Sequence, residues 1–263
     1  MEALHAFLLA VIQGLTEFLP ISSSAHLVLL PIIMHWQDQG LVMDVAAHLG
    51  SLLAVMVYFR DDLRSITGRE SASAGQESGE RNLAWLLLWA TLPILVVAFV
   101  FHTHVEQYSR NAIVIAWASI GFALLLWLAD WRGSHTRGTR QLTTLDAVLV
   151  GLAQALALIP GASRSGVTMT AAMWLGLKRS EAARFSFLLA IPTILATSLY
   201  GGYQVWQDAS VIRWSFGLGV FACSAGVTYL CIHWFIKFVN RIGILPFVIY
   251  RILLGGVLLL AYG

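Results

Sequence analysis

The sequence predicts an all-α polytopic membrane protein with an inverted-topology repeat, containing six transmembrane helices and two re-entrant helical hairpins. Three observations support this fold class. The 263-residue chain is 58% hydrophobic and only 11% charged, whereas soluble domains carry about 25% charged residues. Six apolar runs are long enough to span a bilayer. Two further apolar stretches are each interrupted by a proline and a hydroxyl-rich turn.

The N-terminal region predicts a hairpin instead of a span. Residues 3–19 are apolar until Pro20 and three serines interrupt them, and residues 24–34 resume the apolar pattern for only 11 positions. Eleven helical residues reach about 16 Å, which is roughly half of the hydrocarbon thickness. We therefore expect a helix entering the membrane, a polar turn at depth and a short returning helix. Irregular backbone at that depth must be buried in protein or line a watery cavity.

The remaining elements follow in order along the chain. The six spans lie near residues 41–59, 83–101, 111–131, 185–205, 213–237 and 243–262. Residues 61–82 are rich in Ser, Gly and charge, which predicts a flexible linker. Residues 143–159 and 167–177 surround the PGASRSG turn and repeat the layout of the first hairpin. We expect one integral membrane domain covering residues 1–263.

Basic residues predict the orientation, because they are enriched in cytoplasmic loops. The loops after the first span, the third span, the second hairpin and the fifth span hold 12 of the 16 basic residues. With these loops in the cytoplasm, the first hairpin enters from outside and the second from the cytoplasm. The chain then divides into inverted halves, approximately 1–131 and 141–263, joined by a cytoplasmic loop. Such repeats place their broken helices together near the midplane, so both polar turns would build one site.

The first turn carries groups suited to acid–base and nucleophilic chemistry. Gln13 and Glu17 are spaced i, i+4 and share one helix face. A Glu inside a membrane segment is a functional-site candidate by default. Ser22, Ser23 and Ser24 follow, with His26 close behind. A serine beside a histidine suits nucleophilic attack with acid–base help, although serines also cap helices.

The second turn carries groups suited to phosphate. Arg164 lies between Ser163 and Ser165, with Thr168 one helical turn further on. Gly161 lets the backbone approach a ligand closely. Hydroxyls, backbone N–H groups and a forked guanidinium at a helix start suit a phosphate group. Together the two turns predict phosphoryl transfer on a lipid phosphate.

The two motifs resemble signatures of the bacterial undecaprenyl-diphosphate phosphatase family, also called bacitracin-resistance proteins. QGLTEFLPISSSAH is similar to the [EQ]-x-x-x-E signature with its following serine–histidine segment, and PGASRSGVT is similar to PG-x-SRS-x-x-T. The likeness covers the whole chain. It implies hydrolysis of undecaprenyl diphosphate to the monophosphate and inorganic phosphate, with Mg²⁺ or Ca²⁺ as cofactor. It also implies a multi-pass protein of the bacterial inner membrane whose active site opens to the periplasm.

The motif residues supply the candidate site. The expected catalytic residues are Glu17, Ser23, His26 and Arg164, with Glu17 also the expected metal ligand. The expected substrate-binding residues are Gln13, Ser22, Ser24, Gly161, Ser163, Ser165 and Thr168. Gln13 departs from the Glu of many family members, so Glu17 is the only carboxylate of its motif. Gln13 is equally well explained as a hydrogen-bond bridge between helices.

Two alternatives stay open at the level of sequence. Inverted repeats with broken helices are also typical of transporters, so transport or flipping of a lipid phosphate or other anion is the alternative function. Arg251 is interpreted as structural, paired with a buried acid or with backbone. The expected partners are the polyprenyl diphosphate and membrane lipids, with a homodimer left open. A net charge of only +2 implies no nucleic-acid partner.

Overall fold

The computed structural model of the chain describes residues 2–34, 36, 40–66, 77–108, 111–207 and 214–262. These residues form α-helices, two 3-10 turns and no strand, which confirms the all-α class. The helices are α1 Glu2–Thr16, α2 Ser23–Met34, α3 Leu41–Tyr58, α4 Arg60–Ile66, α5 Glu77–Tyr108, α6 Ala112–Arg132, α7 Thr144–Ala155, α8 Arg164–Trp174, α9 Arg179–Gln207, α10 Trp214–Ile242 and α11 Leu245–Tyr262.

Six of these helices are long and apolar enough to cross a membrane. The qualifying stretches are Leu41–Tyr58, Leu83–Phe101, Ala112–Arg132, Arg179–Gln207, Phe216–Ile242 and Leu245–Tyr262. Each coincides with one of the six predicted spans, so that prediction is confirmed. Many of their large apolar side chains face outward, as expected for helices that present one face to lipid.

Two shorter helix pairs occupy the positions of the predicted hairpins. The first helix pair is α1 with α2, and the second is α7 with α8, with a 3-10 turn at Leu156–Leu158. Members of each pair contact each other. The returning helices begin at Ser23 and Arg164, slightly before the expected residues 24 and 167. Their re-entrant placement and opposite entry sides stay predictions.

The two turns that join these helices share an unusual backbone. Ser22 and Ser163, the residues before α2 and α8, have φ angles of 73° and 69°, which non-glycine residues rarely adopt. Each serine hydroxyl accepts a hydrogen bond from the N–H three residues further on, at 3.4 Å from Ala25 and 3.2 Å from Gly166. Both hydroxyls therefore cap the helix that follows. The local likeness is consistent with duplication.

The linker predicted for residues 61–82 is wrong at both ends. Residues 61–66 belong to α4, and residues 77–82 form the first turns of α5. Residues 67–76 lie outside the described part of the chain. Hydropathy detects only the apolar part of a helix, and a helix already nucleated extends into polar sequence at low cost because each added residue gains a hydrogen bond.

Close contacts between small residues hold the long helices together. A Cβ added to Gly50 of α3 would lie 2.3 Å from the Phe221 carbonyl oxygen of α10. Beside this crossing, the Ser51 hydroxyl lies 3.1 Å from that of Ser224 and 3.0 Å from that of Thr228. Small residues and shared hydroxyls are the usual basis of helix packing in lipid. The resulting frame fixes where the two turns sit.

Polar contacts anchor the start of the second helix pair. Thr143 and Asp146 form a capping box at the N-terminus of α7. The Arg137 guanidinium donates to Asp146 at 2.6 Å and to the Leu175 carbonyl at 2.7 Å. Asp146 is thus an acid of the first helical turn, stabilised by the helix dipole. These bonds tie α7 to the end of α8 and fix the turn between them.

Candidate active site

The candidate site lies where the first turn, residues 17–22, meets the start of α8. α1 ends at Thr16, and the backbone N–H of Glu17 still donates to the Gln13 carbonyl at 3.0 Å. Pro20 has no N–H to donate and prevents the helix from continuing. The Glu17 side chain is only 5% exposed. Protein groups must therefore satisfy its carboxylate.

Four polar side chains surround the Glu17 carboxylate. Gln13 Nε2 donates to Oε2 at 2.9 Å, and Ser23 Oγ donates to the same oxygen at 2.7 Å. Arg164 Nη2 donates to Oε1 at 3.0 Å. His48 Nε2 of α3 lies 3.8 Å from Oε2. Glu17 therefore joins both turns and α3, and the predicted convergence of the two turns is seen directly.

Arg164 is held by one side of its guanidinium only. Besides the bond to Glu17, its Cζ lies 5.6 Å from the centre of the Phe18 ring. Its Nη1 is buried and has no hydrogen-bond partner among the described residues. A buried donor without a partner is costly, so this nitrogen is where an anionic ligand would complete the hydrogen bonding.

The second turn approaches its neighbours through residues that sequence assigned to ligand binding. Ser165 Oγ donates to the Leu19 carbonyl of the first turn at 2.9 Å. Gly161 has a φ of 91°, and a Cβ there would lie 2.5 Å from the Ile115 carbonyl oxygen. Only glycine fits such a position without strain. Both residues serve the architecture of the site, and substrate binding by them stays a prediction.

The structure does not pair Ser23 with His26. His26 Nδ1 lies 2.7 Å from the Ser22 carbonyl oxygen, which can only accept, so Nδ1 carries the proton. His26 Nε2 then accepts from the Tyr250 hydroxyl at 2.5 Å. Ser23 instead donates to Glu17. The group placed to take a proton from Ser23 is therefore the carboxylate, and a role of His26 in proton transfer stays a prediction.

Other predicted residues lie around this centre in supporting positions. Gln13 does not bridge two helices, because Nε2 bonds Glu17 of its own segment and Oε1 has no partner among the described residues. The Ser22 and Ser24 hydroxyls lie 3.2 Å apart. Thr168 is buried, donates to the Arg164 carbonyl at 2.8 Å and contacts the Ser186 hydroxyl at 2.6 Å. Thr168 thus supports the backbone beneath Arg164.

Sequence reasoning missed two residues that the fold brings to the site. His48 stands in a span, and Tyr250 stands 224 positions after its partner His26. A polar residue inside an apolar span is a weak signal for His48. Nothing in local spacing identifies Tyr250, because only the packing of α11 brings its hydroxyl to His26. The expected pairing of Arg251 with backbone is seen, since Nη2 donates to the Gly161 and Ala162 carbonyls at 2.9 Å each.

The donors around Glu17 are those that a hard cation prefers. The described residues contain no group of three or more His, Cys, Asp or Glu able to hold a metal ion alone. Near Glu17, however, the Ser23 hydroxyl and the unpartnered Gln13 Oε1 add to the carboxylate oxygens. Mg²⁺ is commonly bound by one or two carboxylates together with substrate phosphates. The residues therefore fit a divalent cation that shares its coordination with a diphosphate.

Comparisons with known proteins give one consistent family. The family described as bacitracin resistance protein BacA matches residues 6–257. An undecaprenyl-diphosphatase of Nitrosococcus oceani is 49% identical over 261 residues, covering 98% of both chains. One of Teredinibacter turnerae is 49% identical over 270 residues, covering 99% of this chain and 100% of the relative. One of Hahella chejuensis is 50% identical over 261 residues, covering 98% of both chains.

Proposed function

The chain belongs to the bacitracin resistance protein BacA family, and from this membership we propose that it is an undecaprenyl-diphosphatase. The reaction is hydrolysis of undecaprenyl diphosphate to undecaprenyl phosphate and inorganic phosphate. It recycles the cell-wall lipid carrier and accounts for bacitracin resistance. The relatives that carry this enzyme name match over nearly the full length of both chains.

The observation that carries the proposal is the buried pair of Glu17 and Arg164. It joins the two motif turns at 3.0 Å although 147 positions separate the residues in sequence. Burying two charges costs several kcal/mol per ion before their attraction offsets it. A fold that needed only stability would use apolar side chains here, so the pair supports a catalytic use.

We infer that the pair opens when the diphosphate binds. Arg164 exchanges the Glu17 carboxylate for phosphate oxygens, which can accept from both guanidinium nitrogens in a bidentate contact. The unpartnered Nη1 and the first backbone N–H groups of α8 favour that exchange. Glu17 then no longer pairs with Arg164, and its carboxylate can accept the proton of Ser23.

The chemical step follows from the bond between Ser23 and Glu17. Ser23 Oγ attacks the terminal phosphorus while its proton passes to Glu17. The bond from that phosphorus to the bridging oxygen breaks, and undecaprenyl phosphate leaves with the electron pair. Water then hydrolyses the phosphoserine, which releases inorganic phosphate and restores Ser23. Direct attack by water, with Glu17 as base, is the alternative for the same groups.

A divalent cation completes the proposal. Glu17, Ser23 and Gln13 Oε1 would hold Mg²⁺ or Ca²⁺, as their donor types favour. When bound, such an ion neutralises phosphate charge. The chain's own part is to bring these oxygens and Arg164 together at one site.

The location of the enzyme follows from coarser observations. Six apolar helices indicate a multi-pass membrane protein, which suits a lipid substrate. The family resemblance supports the bacterial inner membrane and a site that opens to the periplasm. The distribution of basic residues supports only the placement of the basic loops in the cytoplasm. Labelling of cysteines introduced beside Ser23, with a reagent that does not cross membranes, tests the direction of opening.

The function is tested by phosphate release from a prenyl diphosphate with detergent-purified protein, in Mg²⁺ and then in EDTA. Glu17→Gln and Arg164→Ala are measured beside the wild type. Arg241→Ala is the matched control, because Arg241 is exposed at the end of α10. We expect phosphate release that depends on Mg²⁺, falls by about 10² or more in Glu17→Gln and Arg164→Ala, and is unchanged in Arg241→Ala.

Two outcomes would change the proposal. Phosphate release that persists in EDTA would contradict the requirement for a divalent cation. The protein side chains alone would then form the catalytic site. Absence of release from folded wild-type protein contradicts the phosphatase proposal and favours transport of a lipid phosphate, which vesicles loaded with a labelled prenyl phosphate would detect.

A further inference from the structure

Two consecutive residues of α11 contact both halves of the candidate site. α11 lies against α6, where a Cβ added to Gly255 would be 2.8 Å from the Ala116 carbonyl oxygen. Tyr250 of this helix bonds the first helix pair through His26. Arg251 bonds the second turn through Gly161 and Ala162. The proposed catalytic steps use neither residue.

The contact of Tyr250 determines how His26 is used. The Ser22 carbonyl takes the proton of Nδ1, and the Tyr250 hydroxyl donates to Nε2 at 2.5 Å. Both ring nitrogens are therefore engaged, and the ring can neither flip nor change tautomer without losing a hydrogen bond. The Ser22 carbonyl that His26 contacts immediately precedes Ser23, the first residue of α2. A fixed ring therefore also holds the turn from which Ser23 reaches Glu17.

The contact of Arg251 determines the shape of the second turn. Its Nη2 bridges two successive carbonyls immediately before Ser163, whose φ is 69°. Its Nη1 lies so near α8 that a Cβ on Gly166 would be 2.8 Å away. The guanidinium thus supports the strained turn from which Arg164 emerges.

Arg251 is poorly explained by stability alone. It is 0% exposed, its Nε and Nη1 have no hydrogen-bond partner among the described residues, and no carboxylate there pairs with it. It also stands beside the N-terminus of α8, where the helix dipole disfavours a cation. Burying a charge without a countercharge is costly, because no attraction offsets its desolvation. An anion bound at the same helix start would offset this unfavourable charge.

We propose that Tyr250 and Arg251 are positioning residues that hold the two turns in register for the diphosphate. Tyr250 fixes the ring of His26, and Arg251 fixes the carbonyls that set the direction of Arg164. The proposal rests on the proposed function, because it assigns these residues to the same site. It predicts that two adjacent side chains affect different kinetic constants.

The expected effects separate the two roles. Tyr250→Phe keeps the ring but loses one hydrogen bond to His26, so we expect kcat to fall about tenfold with little change in KM. Arg251→Met removes the charge that supports the second turn, so we expect KM to rise about tenfold or more, as for a hydrogen bond to a charged group. Arg251→Lys should not restore the wild-type KM, because an ammonium lacks the fork.

The experiment measures phosphate release from a prenyl diphosphate and, separately, thermal protection of the protein by inorganic pyrophosphate. Tyr262→Phe and Arg241→Met are the controls, since both residues are exposed at helix ends. We expect the pyrophosphate concentration that gives half-maximal protection to be equal for wild type and Tyr250→Phe. For Arg251→Met we expect this concentration to be about tenfold higher. Arg251→Met also leaves the Gly161 and Ala162 carbonyls without a donor, so we expect its unliganded unfolding temperature to fall. The pyrophosphate protection is therefore measured as the increase over each variant's own unliganded value.

The outcomes are distinguishable from those of the proposed function. If folded Arg251→Met has the KM and the pyrophosphate protection of the wild type, the proposed role of Arg251 is wrong. If Tyr250→Phe has the kcat of the wild type, the proposed role of Tyr250 is wrong. If Arg251→Met does not fold, Arg251→Lys decides by the same two measurements. Failure of wild type to release phosphate would contradict the phosphatase, while pyrophosphate protection would still report on Arg251.

Discussion

The first and second turns end with the same backbone conformation and carry different chemistry. Ser22 and Ser163 share a positive φ and the same capping bond. The next residue, Ser23 in one turn and Arg164 in the other, opens the following helix. These equivalent residues donate to the two different oxygens of one carboxylate, Glu17. One scaffold used twice thus brings a hydroxyl and a guanidinium to a common acceptor.

The glutamines before the turns show the same division. Gln13 stands nine residues before Ser22, and Gln154 stands nine residues before Ser163. Gln13 Nε2 bonds Glu17 within the site. Gln154 Nε2 bonds the Ala90 carbonyl of α5 at 3.2 Å, and its Oε1 accepts from Thr193 at 3.3 Å. Equivalent side chains therefore contact the candidate site in one half and serve helix packing in the other.

The largest expected effect comes from removing either charge shared by the turns. Glu17→Ala and Arg164→Ala should each lower kcat/KM by about 10²–10³, as for loss of a preorganised electrostatic contact. Arg164→Lys should recover little, because the bidentate geometry is lost. The kcat/KM of the double variant Glu17→Ala/Arg164→Ala should be no lower than that of the less active single variant, because the two residues act as one unit. Strictly multiplicative losses in phosphate-release assays would contradict a shared role.

The next effect distinguishes the hydroxyls of the first turn. Ser23→Ala should lower kcat by about 10² or more if Ser23 is the nucleophile. Ser134→Ala is the matched control, because Ser134 is exposed and its hydroxyl contacts that of Thr136, outside the site. Trapping with a prenyl diphosphate labelled at its terminal phosphate should yield phosphoprotein in wild type and none in Ser23→Ala. Near-normal turnover in Ser23→Ala would instead leave water as the nucleophile.

A smaller effect sharpens the contrast between the glutamines. Gln13→Ala should reduce turnover about tenfold with little change in unfolding temperature, since it removes one hydrogen bond from the site. Gln154→Ala should keep turnover per folded molecule but lose about 1–3 kcal/mol of stability, because buried partners are left unsatisfied. Thermal unfolding and phosphate release measured on the same preparations check both. A reversed pattern would mean that the two halves do not divide their work in this way.

The smallest effect tests the backbone that the turns share. Ser22→Gly and Ser163→Gly should each change stability by only a few tenths of a kcal/mol, because glycine replaces a serine cap at little cost and favours positive φ. Gly161→Ala should be clearly destabilising, since its Cβ would collide with the Ile115 carbonyl. Unfolding temperatures in one detergent compare the three. Equal losses of stability in the three variants would show that the positive φ angles at the turns do not determine which residues fit there.

Much of this fold could be predicted because lipid imposes simple rules. All six spans follow from apolar length, and both helix pairs follow from a proline with serines inside an apolar stretch. α4 and the first turns of α5 could not be predicted, because Ser, Gly and charge in 61–82 also favour a linker. The basic loops predict opposite entry of the two pairs, which stays a prediction.

The candidate site, like the fold, could be predicted from the sequence only in part. The meeting of Glu17 with Arg164 was expected from the convergence of two polar turns, since each is a costly group in a membrane segment. The pairing of His26 with Tyr250 in place of Ser23 was not expected. Sequence proximity favoured the serine, whereas the rotation of α11 against α6 decides which hydroxyl reaches the ring. Packing angles of that kind leave no local pattern in a sequence.

The pairing of unlike charges between two similar turns also constrains the ancestry of the molecule. The residue equivalent to Arg164 is Ser23, and no acidic residue stands between Ala147 and Ser163 to match Glu17. Each charge of the pair therefore occurs in one half only. Two identical copies would carry both charges or neither, so the Glu17–Arg164 contact requires two turns that mutate independently.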